Sequence, residues 1–133
     1  MKNKLLSFVV GILVLGTSSA YAEQVKLGST TLTNRPDVDI VGVFSCSTGK
    51  GMFRAIRMQV NRRAAEIYDL DVQYGDGSWD TYVPVRRFFR RGSTSRWIDL
   101  IGGERCIKRI VVRGDTEGVP RRPLALVTFF GLR

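Results

Sequence analysis

The chain has 133 residues, with 21 Lys and Arg against 12 Asp and Glu, no His and two Cys. That length suits one domain, and the ordinary apolar and charged content argues against a long disordered tail. The lack of His excludes Ser-His-Asp and Cys-His catalysis and every His-ligated metal site, while two Cys cannot build a Cys-only zinc site or an iron–sulfur cluster.

In chain order, Met1 to Ala22 has the layout of a secretory signal peptide. Lys2 and Lys4 supply the positive start, Leu5 to Leu15 is apolar apart from Ser7 and Gly11, and Ala20-Tyr21-Ala22 offers an A-x-A cleavage site before Glu23. The apolar stretch falls short of the ~20 residues of a membrane span. Cleavage leaves residues 23–133 as a single domain of net charge +7, without a transmembrane segment, in the periplasm or outside the cell. Cys46 and Cys106 survive the cut and meet an oxidising compartment, which predicts one structural disulfide. Two buried free thiols are the alternative, because Cys also serves as a small apolar core residue.

Short runs rich in Val, Ile, Phe, Tyr and Trp alternate with glycine turns at Gly49-Lys50-Gly51, Gly75-Asp76-Gly77, Gly92-Ser93, Gly102-Gly103, Gly114-Asp115 and Glu117-Gly118. This spacing predicts an all-β sandwich or barrel, and the fold expected is a small antiparallel β-sandwich, jelly-roll-like because the run Trp97-Ile98-Asp99-Leu100-Ile101-Gly102-Gly103 resembles galactose-binding-like jelly rolls. The predicted strands are 24–28, 38–44, 53–60, 65–74, 81–85, 96–100, 106–113 and 124–130. Period-two alternation turns Ile56, Met58 and Val60 inward on one strand and Tyr68, Leu70, Val72 and Tyr74 inward on the next. A single helical turn can fit near Arg62 before the strand at 65–74.

The run Gly92-Ser93-Thr94-Ser95-Arg96-Trp97-Ile98-Asp99-Leu100, followed by Gly102-Gly103-Glu104-Arg105-Cys106-Ile107-Lys108-Arg109-Ile110, together with Leu27-Gly28 and Cys46, resembles the YaaI-like family of small exported bacterial proteins of unknown function. The resemblance implies export, a small β-rich domain and the disulfide, and carries over no catalytic or binding residue. The residues themselves suggest an architectural motif. Gly102-Gly103 permits a positive-φ turn, which would let Asp99 pair with Arg105 or Arg109 across a hairpin. Cys106, Ile110 and Val112 should share one face, with Ile107, Arg109 and Val111 on the other.

Other chemistry has bland competitors. Asp69, Asp71, Asp76 and Asp80 lack calcium-loop spacing and suit a solvated strand end and turn. Glu66, Glu104 and Glu117 stand beside arginines or turns, so a small hydrolase ranks third among the readings. Trp79 and Trp97 are sugar-stacking candidates, against the commoner role of core filler, and make a carbohydrate-binding module the alternative reading. No cofactor is expected.

The surplus of arginine is the most informative feature. Arg86-Arg87-Phe88-Phe89-Arg90-Arg91 is the densest cluster, and Arg121 and Arg122 can join it if they fold nearby. Export removes nucleic acid as a partner, leaving anionic envelope components that the planar guanidinium binds bidentately. A charged edge strand that blocks aggregation explains the cluster equally well. The expected function is therefore a non-enzymatic binding or envelope-associated structural module.

Overall fold

A computed structural model describes residues 23–33, 37–116 and 124–133, excepting the side chains of residues 82–84 and 86; the proposed signal peptide, Glu117 and Gly118 fall outside this set. The described chain is built from eight strands: β1 (Gln24–Leu32), β2 (Asp37–Gly42), β3 (Ala55–Asn61), β4 (Ala65–Tyr74), β5 (Trp79–Phe89), β6 (Ile98–Asp99), β7 (Ile107–Thr116) and β8 (Ala125–Leu132). They form two antiparallel four-stranded sheets, ordered β1-β8-β3-β6 and β2-β7-β4-β5. Consecutive strands mostly alternate between the sheets. This is the jelly-roll order, two Greek keys wound into a sandwich.

The core follows the predicted alternation. Ile56, Met58 and Val60 of β3 and Leu70, Val72 and Tyr74 of β4 point between the sheets, with Leu32, Ile110, Val112, Val127 and Phe129. Gly28 permits a close approach of the sheets, because a Cβ there would lie 2.7 Å from the side chain of Val41.

Register shifts account for most departures from the predicted faces. A bulge between Ile67 and Asp69 turns Tyr68 off the core, where its hydroxyl donates to Asp115 at 2.6 Å. A shift between Gln73 and Tyr74 places Ile107 in the core opposite Tyr74, rather than outward beside Arg109. Gly114 lies within β7 and makes no turn; a Cβ on it would sit 2.4 Å from the Glu66 carbonyl oxygen. The helical turn near Arg62 is replaced by a tight connection in which Arg62 takes φ 70°. Strand 81–85 extends to β5, and 96–100 shrinks to two paired residues because its pairing alongside β3 is irregular, the Ser95 and Leu100 amides still donating to the Met58 and Arg54 carbonyls.

The Asp99 hairpin does not form. β6 pairs with β3 in one sheet while β7 lies in the other, so Gly102 and Gly103, at φ 90° and 80°, steer a crossover rather than a hairpin. Arg105 bonds instead to Asp76, at 3.3 Å.

Asp39 gives a pH-dependent prediction. It shares the inward side of edge strand β2 with Val41, its Oδ2 is buried with no hydrogen-bond partner, and burial followed by the neighbouring charge of Asp37 pushes its carboxyl up from the usual range. The folded state thus holds the Asp39 proton more tightly than the unfolded state does. Its contribution to stability is fully present below the unfolded pKa and is lost as pH rises through the folded one. Asp39→Asn should therefore raise the melting temperature at pH 7, with the gain shrinking as pH falls through the raised folded pKa toward the ordinary carboxylate value of about 4, below which it stays level. A gain that is constant with pH would remove the titration of Asp39 as its cause.

Candidate functional site

The strand order gives the sandwich two chemically different ends. Connections β1–β2, β3–β4, β5–β6 and β7–β8 lie at one end, and β2–β3, β4–β5 and β6–β7 at the other.

The second end carries the disulfide. Cys46 stands in the β2–β3 connection and Cys106 precedes β7, bonded with a Cα separation of 5.5 Å. Phe44 starts this turn at φ 46°, and its carbonyl accepts from Ser47 Oγ, Thr48 Oγ1 and the Thr48 amide. Buried Ser45 accepts the Ile107 amide on its hydroxyl at 2.8 Å. A cavity of about 490 Å³ opens beside the disulfide, walled by Phe44, Met52 and Tyr74, with Arg105, Lys108 and Glu104 at its rim. The Arg105 guanidinium lies 3.8 Å from the centre of the Tyr74 ring and donates to Ser78 Oγ and the Ile101 carbonyl. Hydrogen bonds from Ser78 hold the exposed Asp76 carboxyl below its usual range, and burial pushes the Tyr74 phenol up. Cations and anions are mixed at this end.

Arginines gather at the first end. Ala65 at the start of β4 pairs with Phe89 at the end of β5, and Val60 exchanges backbone hydrogen bonds with Gly92 and Ser93. These contacts bring the Arg62-Arg63 turn beside Arg90-Arg91, with Arg87 and Phe88 immediately before them on β5. None of Arg62, Arg87, Arg90 and Arg91 forms an ion pair among the described residues, and each is exposed. The Arg87 guanidinium lies 5.5 Å from the Phe89 ring centre, a cation–π contact, while the residue as a whole is exposed. The β7–β8 connection leaves from Thr116 and returns at Ala125, both at this end; Arg121 and Arg122 fall outside the described residues, and only the backbone of Arg86 is described. Asp37, Glu66 and Asp115 are the nearby carboxylates and lie within strands β2, β4 and β7.

The predicted cluster is thus part of a larger one. Arg62 and Arg63 escaped sequence analysis because some 25 residues separate them from Arg87–Arg91 along the chain. The signal was present: a strand ending at Asn61 and another starting at Ala65 must place Arg62-Arg63 at a sandwich tip.

The remaining candidates are dispersed. Asp69 and Asp71 both bind Arg113, at 2.5 and 2.7 Å, a bidentate clamp on the outer face that pushes the Arg113 guanidinium pKa further up. Among the described residues no group of three or more His, Cys, Asp and Glu side chains could hold a metal ion. Trp97 is half-buried beneath the Arg57 guanidinium at 4.3 Å, whereas Trp79, 46 % exposed, opens β5 in the other sheet; the two rings do not build one platform. No described helix is long and apolar enough to cross a membrane.

Neither the curated proteins nor the solved structures gave a match to the chain. A family model matches residues 7–131, nearly the whole length, and the chain belongs to that family, described as a domain of unknown function (DUF2541).

Proposed function

We propose that the chain is an exported, non-enzymatic binding module of the bacterial cell envelope, in the manner of the YaaI-like proteins, which contacts an anionic envelope component through its arginine end. The observation that carries this reading is the convergence of Arg62-Arg63 with Arg87, Arg90 and Arg91 from separate segments on one tip of a rigid sandwich. Guanidinium groups on turns held by strands are preorganised for phosphate or carboxylate, and four of these five have no carboxylate partner among the described residues to neutralise them. The signal-like segment Met1–Ala22 and the disulfide support an envelope setting.

Co-sedimentation with lipopolysaccharide or anionic liposomes tests the reading. Replacing Arg86, Arg87, Arg90 and Arg91 with Gln should weaken binding by about fivefold per arginine, and raising salt from low to physiological strength should weaken wild-type binding. Equal binding by both proteins, or indifference to salt, overturns it.

A further inference from the structure

Resting on that reading, we infer that the anion is a phosphate-bearing lipid surface, on which the sandwich stands end-on with Phe88 buried in the headgroup layer. The observation that selects a lipid over a soluble polyanion is apolar. Phe88 is 52 % exposed on β5, an edge strand, between Arg87 and the Arg90-Arg91 pair. Its neighbour Phe89 is 3 % exposed and fills the core, so the pleat sends one ring inward and the other to solvent. A large exposed ring on an unpaired edge invites aggregation unless charge or function accounts for it. Here cations flank it, the arrangement by which peripheral segments combine an apolar anchor with headgroup attraction. A soluble polysaccharide or polyphosphate offers guanidinium partners but no apolar layer for the ring.

The two ends fix the orientation. Strands β3, β4, β5 and β7 run between the arginine end and the disulfide end, so a molecule standing on its arginines points the cavity beside Cys46–Cys106 away from the lipid. Residues Glu23 and Arg133, paired to each other at the disulfide end, point away as well. Glu66, opposite Phe88 on β4, is the acidic side chain closest in register and faces the same side of the sheet. It weakens attraction locally, and the arginines outnumber it.

The test uses residues 23–133 and vesicles of phosphatidylglycerol and phosphatidylcholine, with dextran sulfate as the soluble polyanion. Phe88→Ser, checked for an unchanged melting temperature, should bind vesicles about tenfold more weakly and dextran sulfate with wild-type affinity. In Phe88→Trp, vesicles should shift the added emission to the blue relative to wild type, and lipids brominated on the acyl chain should quench it. Vesicle binding unaffected by Phe88→Ser, with no emission shift in Phe88→Trp, overturns the lipid inference and leaves the anion reading standing. Arginine-dependent binding of dextran sulfate without vesicle binding does the same. Binding to neither overturns both.

Discussion

Cys46→Ser is expected to destabilise the domain by about 4 kcal/mol and to lower its melting temperature by about 15 °C. The bond closes a loop spanning 60 residues, which contains β3, β4, β5 and β6 and thus contributes strands to both sheets. Without it the unfolded chain recovers the freedom of that loop. The native state also loses the pin between the β2–β3 connection and the start of β7, where the Gly75 amide donates to the Cys106 carbonyl at 2.9 Å and a Cβ on Gly75 would lie 2.9 Å from Cys106 Cβ. Reduced wild type and the Cys46→Ser/Cys106→Ser double variant should melt together with the single variant. Thiol titration of unfolded, unreduced protein should find no reactive thiol. Two per chain would refute the bridge.

Phe53→Ala should cost about 3–5 kcal/mol, the range for deleting a fully buried ring. Phe53 has no exposed surface and sits just before β3, where its amide and carbonyl both bond with Arg105. The ring lies flat against Gly131 of β8: a Cβ added there would meet it at 2.5 Å. Gly131→Ala should therefore cost about 1–3 kcal/mol through overpacking alone. Combined with Phe53→Leu, its cost should fall, because a smaller side chain vacates the contested space. Urea denaturation of the four proteins closes the cycle. Strictly additive losses would show that the approach of ring to glycine is not what makes Gly131 necessary.

The two sheets were readable because period-two alternation and glycine turns are local signals, and β4 was bounded to the residue at Ala65–Tyr74. Its bulges were not readable. The sequence Ile67-Tyr68-Asp69 continues an acceptable alternation, and the bulge at Tyr68 falls where Ile67 pairs with Gly114 of β7, a partner 47 positions away. Sheet membership was equally non-local: Asp99 and Arg105 have the spacing of a hairpin, yet Ile98 pairs with Ile56 and Ile107 with Tyr74, on opposite sides of the core. The candidate site follows the same division. Arg87, Arg90 and Arg91 formed a visible run, whereas Arg62 and Arg63 joined them only once the order of strands set which turns share an end.

The pairing of Glu23 with Arg133 has a mechanical consequence. Their amides and carbonyls exchange two hydrogen bonds of 3.0 Å, and β1 and β8 run antiparallel from that point. Tension applied between these two residues acts along the interstrand hydrogen bonds, so the ladder opens like a zipper, one rung at a time, rather than shearing as a whole. Extension then halts at the sulfur bridge, because the polypeptide between Cys46 and Cys106 stays out of the line of force. A reductant releases those 60 residues, lengthening the fully extended molecule by roughly 200 Å. The domain is compliant under modest pull, with its extensibility capped by one covalent bond.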